Sequence, residues 1–160
     1  QLIRLMRDLL SASRINLGTL AISKTTTDIL PILKREIEDL MPTIEEKKLY
    51  LEESYRKEKF IIETDPNLIG VVFDNILTNA VTYTPTGGRI SVGITYTPNS
   101  LKISVSDTGC GIPKNQTSQI FTRIFRADNA KSVAPSGTGL GLYIAKLIID
   151  KRRVRVQLSM

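Results

Sequence analysis

Between Asn67 and Tyr83, apolar side chains recur at spacings of three and four: Ile69, Val72, Phe73, Ile76, Leu77 and Ala80. That period predicts a single helix with one apolar face. Asp65-Pro66 just ahead supplies a cap and a first-turn proline. Asn75 and Asn79 fall one turn apart on one side. Asparagine is a mediocre helix former, so the pair needs a reason. Solvation is the plain reading. The chemical one is that a neutral amide oxygen coordinates a hard cation without adding charge to an anionic site.

The same reading extends along the chain. Residues 1–17 carry Leu2, Leu5, Met6, Leu9 and Leu10 on one narrow stripe, which suits a helical bundle or coiled-coil seam. This stripe begins at the first residue, so the chain reads as part of something longer. Leu20 to Thr26 alternates loosely as a strand. Asp28 caps a second helix, Ile29 to about Glu46, in which Pro42 is expected to kink the helix or end it near Leu40. Leu49 to Ser54 and Lys59 to Thr64 read as short strands. Beyond the asparagine helix, Arg89 to Thr97 and Leu101 to Ser106 alternate as a hairpin around Pro98-Asn99-Ser100. Residues 114–136 show little periodicity and read as a long mobile loop of the functional kind. Leu142 to Asp150 forms a last helix, and Val154 to Met160 a final strand.

Composition changes this picture in four places. At 160 residues with 41% hydrophobic positions, the chain fits one domain with a core. It contains no histidine, which excludes histidine general bases, Ser-His triads and histidine metal ligands from these residues. The single cysteine, Cys110, cannot form an internal disulfide and fits a reducing compartment; it is expected as a small filler. The net charge of +6 raises the question of nucleic acid. However, Lys131, Lys146, Lys151, Arg152, Arg153 and Arg155 crowd the last thirty positions without interleaved aromatic residues, which argues against it. No apolar run spans a membrane and no signal peptide is present.

Two glycine motifs carry the chemistry. Asp107-Thr-Gly109-Cys-Gly111-Ile112 directly follows a strand. A carboxylate at a strand end accepts hydrogen bonds from a ligand amine, and the glycines allow close backbone approach to a planar ring. Gly137-Thr138-Gly139-Leu140-Gly141 opens the last helix, where unpaired N–H groups form a ready anion site. A ligand-free glycine hinge is the alternative. A Rossmann reading fails because a loop, not a strand, precedes these glycines, and there is no Walker motif.

In this order, N-x-x-x-N, D-x-G-x-G and G-x-G-x-G resemble the ATP-binding domain of sensor histidine kinases, in the superfamily shared with gyrase, mismatch-repair ATPases and heat-shock chaperones. The resemblance covers roughly residues 20–158, and residues 1–18 resemble the second helix of the dimerisation and phosphoacceptor hairpin. It implies an α+β fold: a two-layer α/β sandwich, with helices over one face of a mixed, mostly antiparallel sheet. Residues 19–160 would be the catalytic domain, with an ATP lid at about 112–137. By the same resemblance Asn79 would coordinate Mg2+, Asn75 would line the pocket and serve catalysis, and Tyr83 would lie near the nucleotide. Asp107 would bond the adenine amine, beside Gly109, Gly111 and Ile112. Phe121 would anchor the lid and Arg126 would reach the terminal phosphates. Gly137, Thr138, Gly139, Leu140 and Gly141 would cradle the triphosphate.

The implied activity is transfer of the γ-phosphate of ATP to a histidine outside this chain. The implied partners are the phosphoacceptor helix and a response regulator receiver domain. The implied parent is a homodimer, its catalytic part cytoplasmic, with anchoring of the parent in the inner membrane left open. The pattern departs from the family at Thr82 (usually lysine), Thr122 (usually glutamate), Ile124 (usually phenylalanine) and Arg152-Arg153-Val154 (usually His-Gly-Gly). Those departures motivate a second reading, a nucleotide-binding signalling module with degraded catalysis. A third reading is a gyrase- or chaperone-type ATPase, disfavoured because such relatives place a glutamate base where Asn75 stands.

Overall fold

The computed structural model describes residues 23–150 apart from 57, 98 and 99. The expected helix at 1–17 and the strand at 154–160 lie outside these residues, as do the first three residues of the strand expected at 20–26, whose last two, Thr25 and Thr26, are strand. The described elements run β1 (Thr25–Asp28), α1 (Ile29–Glu46), β2 (Tyr50–Tyr55), β3 (Ile61–Thr64), α2 (Pro66–Tyr83), β4 (Arg89–Thr97), β5 (Ser100–Asp107), a 3-10 turn (Thr117–Gln119), α3 (Asp128–Val133) and α4 (Gly141–Asp150).

Strands β1 and β3 pair antiparallel, with Asp28 opposite Ile61. Strand β4 lies between β2 and β5. Its pairing with β2 is parallel, which requires the crossover through α2. Its pairing with β5 is the expected antiparallel hairpin, with Val92 opposite Val105 and Ile94 opposite Ile103. The arrangement is therefore α+β as expected, with the strands in two sheets, a two-stranded antiparallel one and a three-stranded mixed one, so that two of the three pairings are antiparallel. Along β4 the alternation is clean: Ile90, Val92 and Ile94 are buried while Ser91, Gly93 and Thr95 are not. That buried row meets the helices. Helix α2 packs against α1, α4 and β5, and Val72, Phe73 and Leu77 join Ile29 and Leu33 of α1 and Ile144 and Ile148 of α4 in one core. No helix among the described residues is long and apolar enough to cross a membrane.

The caps follow the sequence signals. Asp28 Oδ1 accepts from Leu30 N and also from Phe60 N, so one carboxylate starts α1 and ties it to the β3 approach. Asp65 is 5% exposed, and its Oδ1 accepts from Asn67 N and Leu68 N while Oδ2 accepts from Ser23 N. Of the two outcomes expected at Pro42, an end near Leu40 is not what is found. The helix runs through it to Glu46. Pro42 and Glu38 both lie on the exposed side, so the carbonyl that loses its partner can turn to water. The helix ends later, where Lys48 adopts φ +51°, Lys48 N bonds Glu45 O and Leu49 N bonds Ile44 O. Both bonds and the buried Ile44–Leu49 pair make a Schellman stop without glycine.

Asp65→Ala would strand three backbone donors around a buried site. We expect it to lower the unfolding free energy by about 2–3 kcal/mol, read as a lower urea midpoint at unchanged slope.

Candidate functional site

Helix α2 has two working faces. Ile69, Val72, Phe73, Leu77 and Ala80 point to the core, while Asn75, Asn79 and Tyr83, at i, i+4 and i+8, line a cavity of about 340 Å³. Ile76, expected inward with the core set, lies on the cavity side and is only partly buried. The other walls come from the β5 end, the lid and the start of α4. Asp107, Gly111 and Ile112 contribute at one end, and Gly137, Thr138, Gly139 and Gly141 at the other.

Asn75 and Asp107 are each held by a specific contact. Asn75 is 4% exposed and its Nδ2 donates to Val71 O at 2.8 Å, one turn back. Its Oδ1 faces Gly141: a Cβ there would come within 2.7 Å of that oxygen. Gly141 thus keeps α4 tight against the asparagine. Asn79, half-buried on the cavity wall, makes no hydrogen bond among the described residues. Asp107 Oδ1 accepts from Gly109 N at 2.8 Å, which fixes the carboxylate at the cavity edge. Gly109 itself does not line the cavity. It stands behind, where a Cβ would meet Asp107 Oδ1 at 2.5 Å and Tyr83 O at 2.7 Å. Leu140 is also not on the wall; its side chain is in the core at 2% exposure, so only its backbone is available to a ligand. Cys110, expected as a filler, is instead exposed at the cavity rim.

The residues expected to form a long mobile loop carry a 3-10 turn and α3, joined by side-chain contacts. Gln116 Nε2 donates to Asp128 Oδ2 at 2.6 Å, and Asp128 N donates back to Gln116 Oε1. Lys131 Nζ, 2.8 Å from Asp128 Oδ1, is the first cause and Gln116 the second holding the Asp128 carboxyl below its ordinary pKa. Asn129 Nδ2 donates to Cys110 O and Gly111 O, joining α3 to the Asp107–Gly111 loop. Phe121 is half-buried, with Lys146 Nζ of α4 at 5.6 Å from its ring centroid. Ile124 is exposed with φ +60°, a strained conformation for a β-branched residue.

Arg126 lines the cavity, but its terminal nitrogens are engaged by the lid itself. Nη1 donates to Pro135 O at 2.9 Å, and Nη2 donates to Ala130 O and Ala134 O. Its buried Nε has no partner. The guanidinium lies against Gly137, where a Cβ would meet three of its atoms at 3.2 Å. Sequence reasoning passed over the lid's Ala127, Ala130 and Ala134, which also line the cavity. Their three- and four-residue spacing within ADNAKSVA was a readable helical signal.

Among the described residues no cluster of three His, Cys, Asp or Glu could hold a metal ion. A divalent cation here would need oxygens brought by a ligand, with the unengaged amide of Asn79 as a neutral donor; the donor set fits a shared Mg2+ and not a resident one.

The family model described as histidine kinase-, DNA gyrase B- and HSP90-like ATPase matches residues 64–159. Sensor histidine kinase WalK of Bacillus subtilis (strain 168) is 32% identical over 152 residues, covering 94% of this chain and 25% of WalK. The chain thus spans about a quarter of that relative. The mycobacterial sensor histidine kinase MprB superposes with a TM-score of 0.70 at 26% identity, covering 81% of this chain and 82% of the other. Full-length ShkA, solved in complex with AMPPNP, superposes at 0.78 with 23% identity, covering 93% of this chain and 30% of the other, a likeness of fold. With the family's sequence pattern over more than half its length and this fold around one cavity, the chain belongs to the histidine kinase-, DNA gyrase B- and HSP90-like ATPases, as an ATP-binding domain of the sensor histidine kinase type.

Proposed function

We propose that this chain binds Mg-ATP in the cavity between α2 and the lid and presents the γ-phosphate to a histidine supplied by its parent protein. One observation carries the reading: three separate segments deliver an aimed carboxylate (Asp107), an unengaged amide (Asn79) and a glycine-opened helix start (Gly137–Gly141) to one cavity. Asp107 suits an adenine amine, with Gly109, Gly111 and Ile112 setting the close approach beside it, and Tyr83 alongside. The N–H groups at the start of α4 suit phosphate oxygens, because the first turn leaves them without helical partners. Gly141 opens that turn and Gly137, Thr138, Gly139 and Leu140 supply the backbone before it, where Gly137 N now donates to Ala134 O and Leu140 N to Thr138 Oγ1, bonds that phosphate oxygens would replace. Asn79 would hold Mg2+, whose charge offsets that developing on the transferred group. AMPPNP in ShkA supports an adenine nucleotide as ligand.

In the transfer, the bond from the β–γ bridging oxygen to the γ-phosphorus breaks and a bond to an imidazole nitrogen forms. ADP leaves with the bridging electron pair. The step needs alignment and charge neutralisation more than a strong base. Asn75, pinned to Val71 O beneath Gly141, cannot take a proton from water. It suits transfer to a positioned histidine and not hydrolysis. Arg126 would contribute charge near the terminal phosphates through Nε, with its terminal nitrogens remaining in the lid. The wider assembly is a homodimeric parent whose phosphoacceptor helix faces the lid and passes phosphate to a response regulator receiver domain, with the catalytic part in the cytoplasm.

Three measurements test this. A fluorescent ATP analogue should bind in a Mg2+-dependent way, and Asp107→Asn, which keeps the oxygen facing Gly109, should weaken binding about 10- to 100-fold. No Mg2+-dependent binding by wild type would overturn the reading. Gly141→Ala should weaken binding at least about tenfold by displacing Asn75 Oδ1, with thermal unfolding little changed. Phosphate release by the isolated chain should stay below about one turnover per minute, as the absence of a base predicts. Rapid multiple turnover would point to a gyrase- or chaperone-type ATPase instead.

A further inference from the structure

Helix α2 ends at Tyr83 with four carbonyls that no later turn of helix can satisfy. All four are taken. Ala80 O accepts from Thr84 N at 3.1 Å and from Thr84 Oγ1 at 2.6 Å, with Thr84 fully buried. Val81 O and Thr82 O accept from one ammonium, Lys47 Nζ, at 2.6 and 3.1 Å. Tyr83 O accepts from Cys110 N at 3.3 Å. The last of these bonds connects α2 to the Asp107–Gly111 loop.

Lys47 belongs to neither wall. It is the residue that stops α1, and its own carbonyl accepts from Gly87 N at 2.9 Å in the turn after α2. Tyr50 N, at the start of β2, donates to Gly88 O in the same turn. The α1–β2 joint therefore grips the end of α2 from the backbone and from the side chain together. The ammonium sits where the helix dipole is negative, and cation-to-carbonyl bonds are the stronger kind. Burial lowers the Lys47 pKa, in keeping with an ammonium drawn partly out of water.

We infer that Lys47 is a positioning residue for the nucleotide site: its ammonium holds the final turn of α2 closed, so that the Tyr83 carbonyl stays aimed at Cys110 N and the Asp107–Gly111 loop keeps its place against the Asn79–Tyr83 wall. Without that ammonium, Val81 O and Thr82 O have no protein donor, and the final turn can open toward water. Tyr83 O then turns with it, and the loop carrying Asp107 loses its bond to the helix. Thr82 and Tyr83 line the cavity and Lys47 does not, so the effect reaches the ligand only through backbone position.

This inference rests on the nucleotide reading above, and the experiment separates the two. Wild type, Lys47→Met and Lys47→Arg are titrated with the fluorescent ATP analogue and Mg2+, at a temperature where circular dichroism shows all three folded. Exchange of the Cys110 amide is followed in the same samples. Lys47→Met keeps the length and loses the donors; we expect binding about five- to twentyfold weaker and faster Cys110 exchange. Lys47→Arg keeps charged donors and should bind within about threefold of wild type. Lys47→Met binding within twofold of wild type would overturn the inference while leaving nucleotide binding intact. Equal losses in both variants would also overturn it, since the donors would then not be what matters. No binding by wild type would overturn the nucleotide reading and this inference with it. Should Lys47→Met fail to fold, Lys47→Leu, which also lacks a donor, is read in its place by the same criteria.

Discussion

Burial of one face of α2 is the constraint on which the site depends. Val72, Phe73 and Leu77 are each at most 3% exposed, against α1 on one side and α4 on the other. Each such side chain contributes about 1.5–3 kcal/mol relative to exposure. That burial fixes the rotation of the helix about its axis. The rotation in turn decides that Asn75, Asn79 and Tyr83 share the opposite stripe. A rotation of one residue, 100°, would put an amide into the core without a partner, at a cost of about 1–3 kcal/mol. The apolar face therefore aims the polar one.

The lid is held differently. Apart from the buried Ile120 and Ala127, its contacts are hydrogen bonds and an exposed ion pair: Gln116 with Asp128, Lys131 with Asp128, Asn129 with the carbonyls of Cys110 and Gly111. Exposed pairs of this sort stabilise little, typically less than about 1 kcal/mol each. Elements with few buried apolar contacts open at low free energy. The cavity thus joins a rigid wall, α2 and the β5 end, to a cover that local interactions order without locking. Arg126 belongs to the cover: its three carbonyl contacts all lie within residues 130–135.

Much of this was legible before any fold was known. The asparagine helix, both capping aspartates and the β4–β5 hairpin were readable because each rests on interactions within a few residues. The two glycine motifs were readable for the same reason, since backbone conformation and local approach dictate glycine. Pro42 does not end the helix near Leu40, because its penalty depends on which way the proline faces, and only the packed helix shows that it faces solvent. The lid was read as a long mobile loop, without its helix, because α3 is six residues long, too short for periodicity to stand out. Its alanine spacing was the one signal available.

Side-chain engagement is a different kind of information. Nothing in the sequence says that the Arg126 guanidinium folds onto its own lid, or that the Lys47 ammonium crosses from the end of α1 to the end of α2, 34 residues away along the chain. Those partners are carbonyls, which every residue possesses, so residue identity cannot name them. Period, capping and glycine placement are local, so the long helices, the strands and the side chains able to do chemistry could be read from residue order, the short α3 excepted. Which of those side chains meet at one cavity, and which backbone atoms hold them there, is set by long-range packing, which residue order does not display.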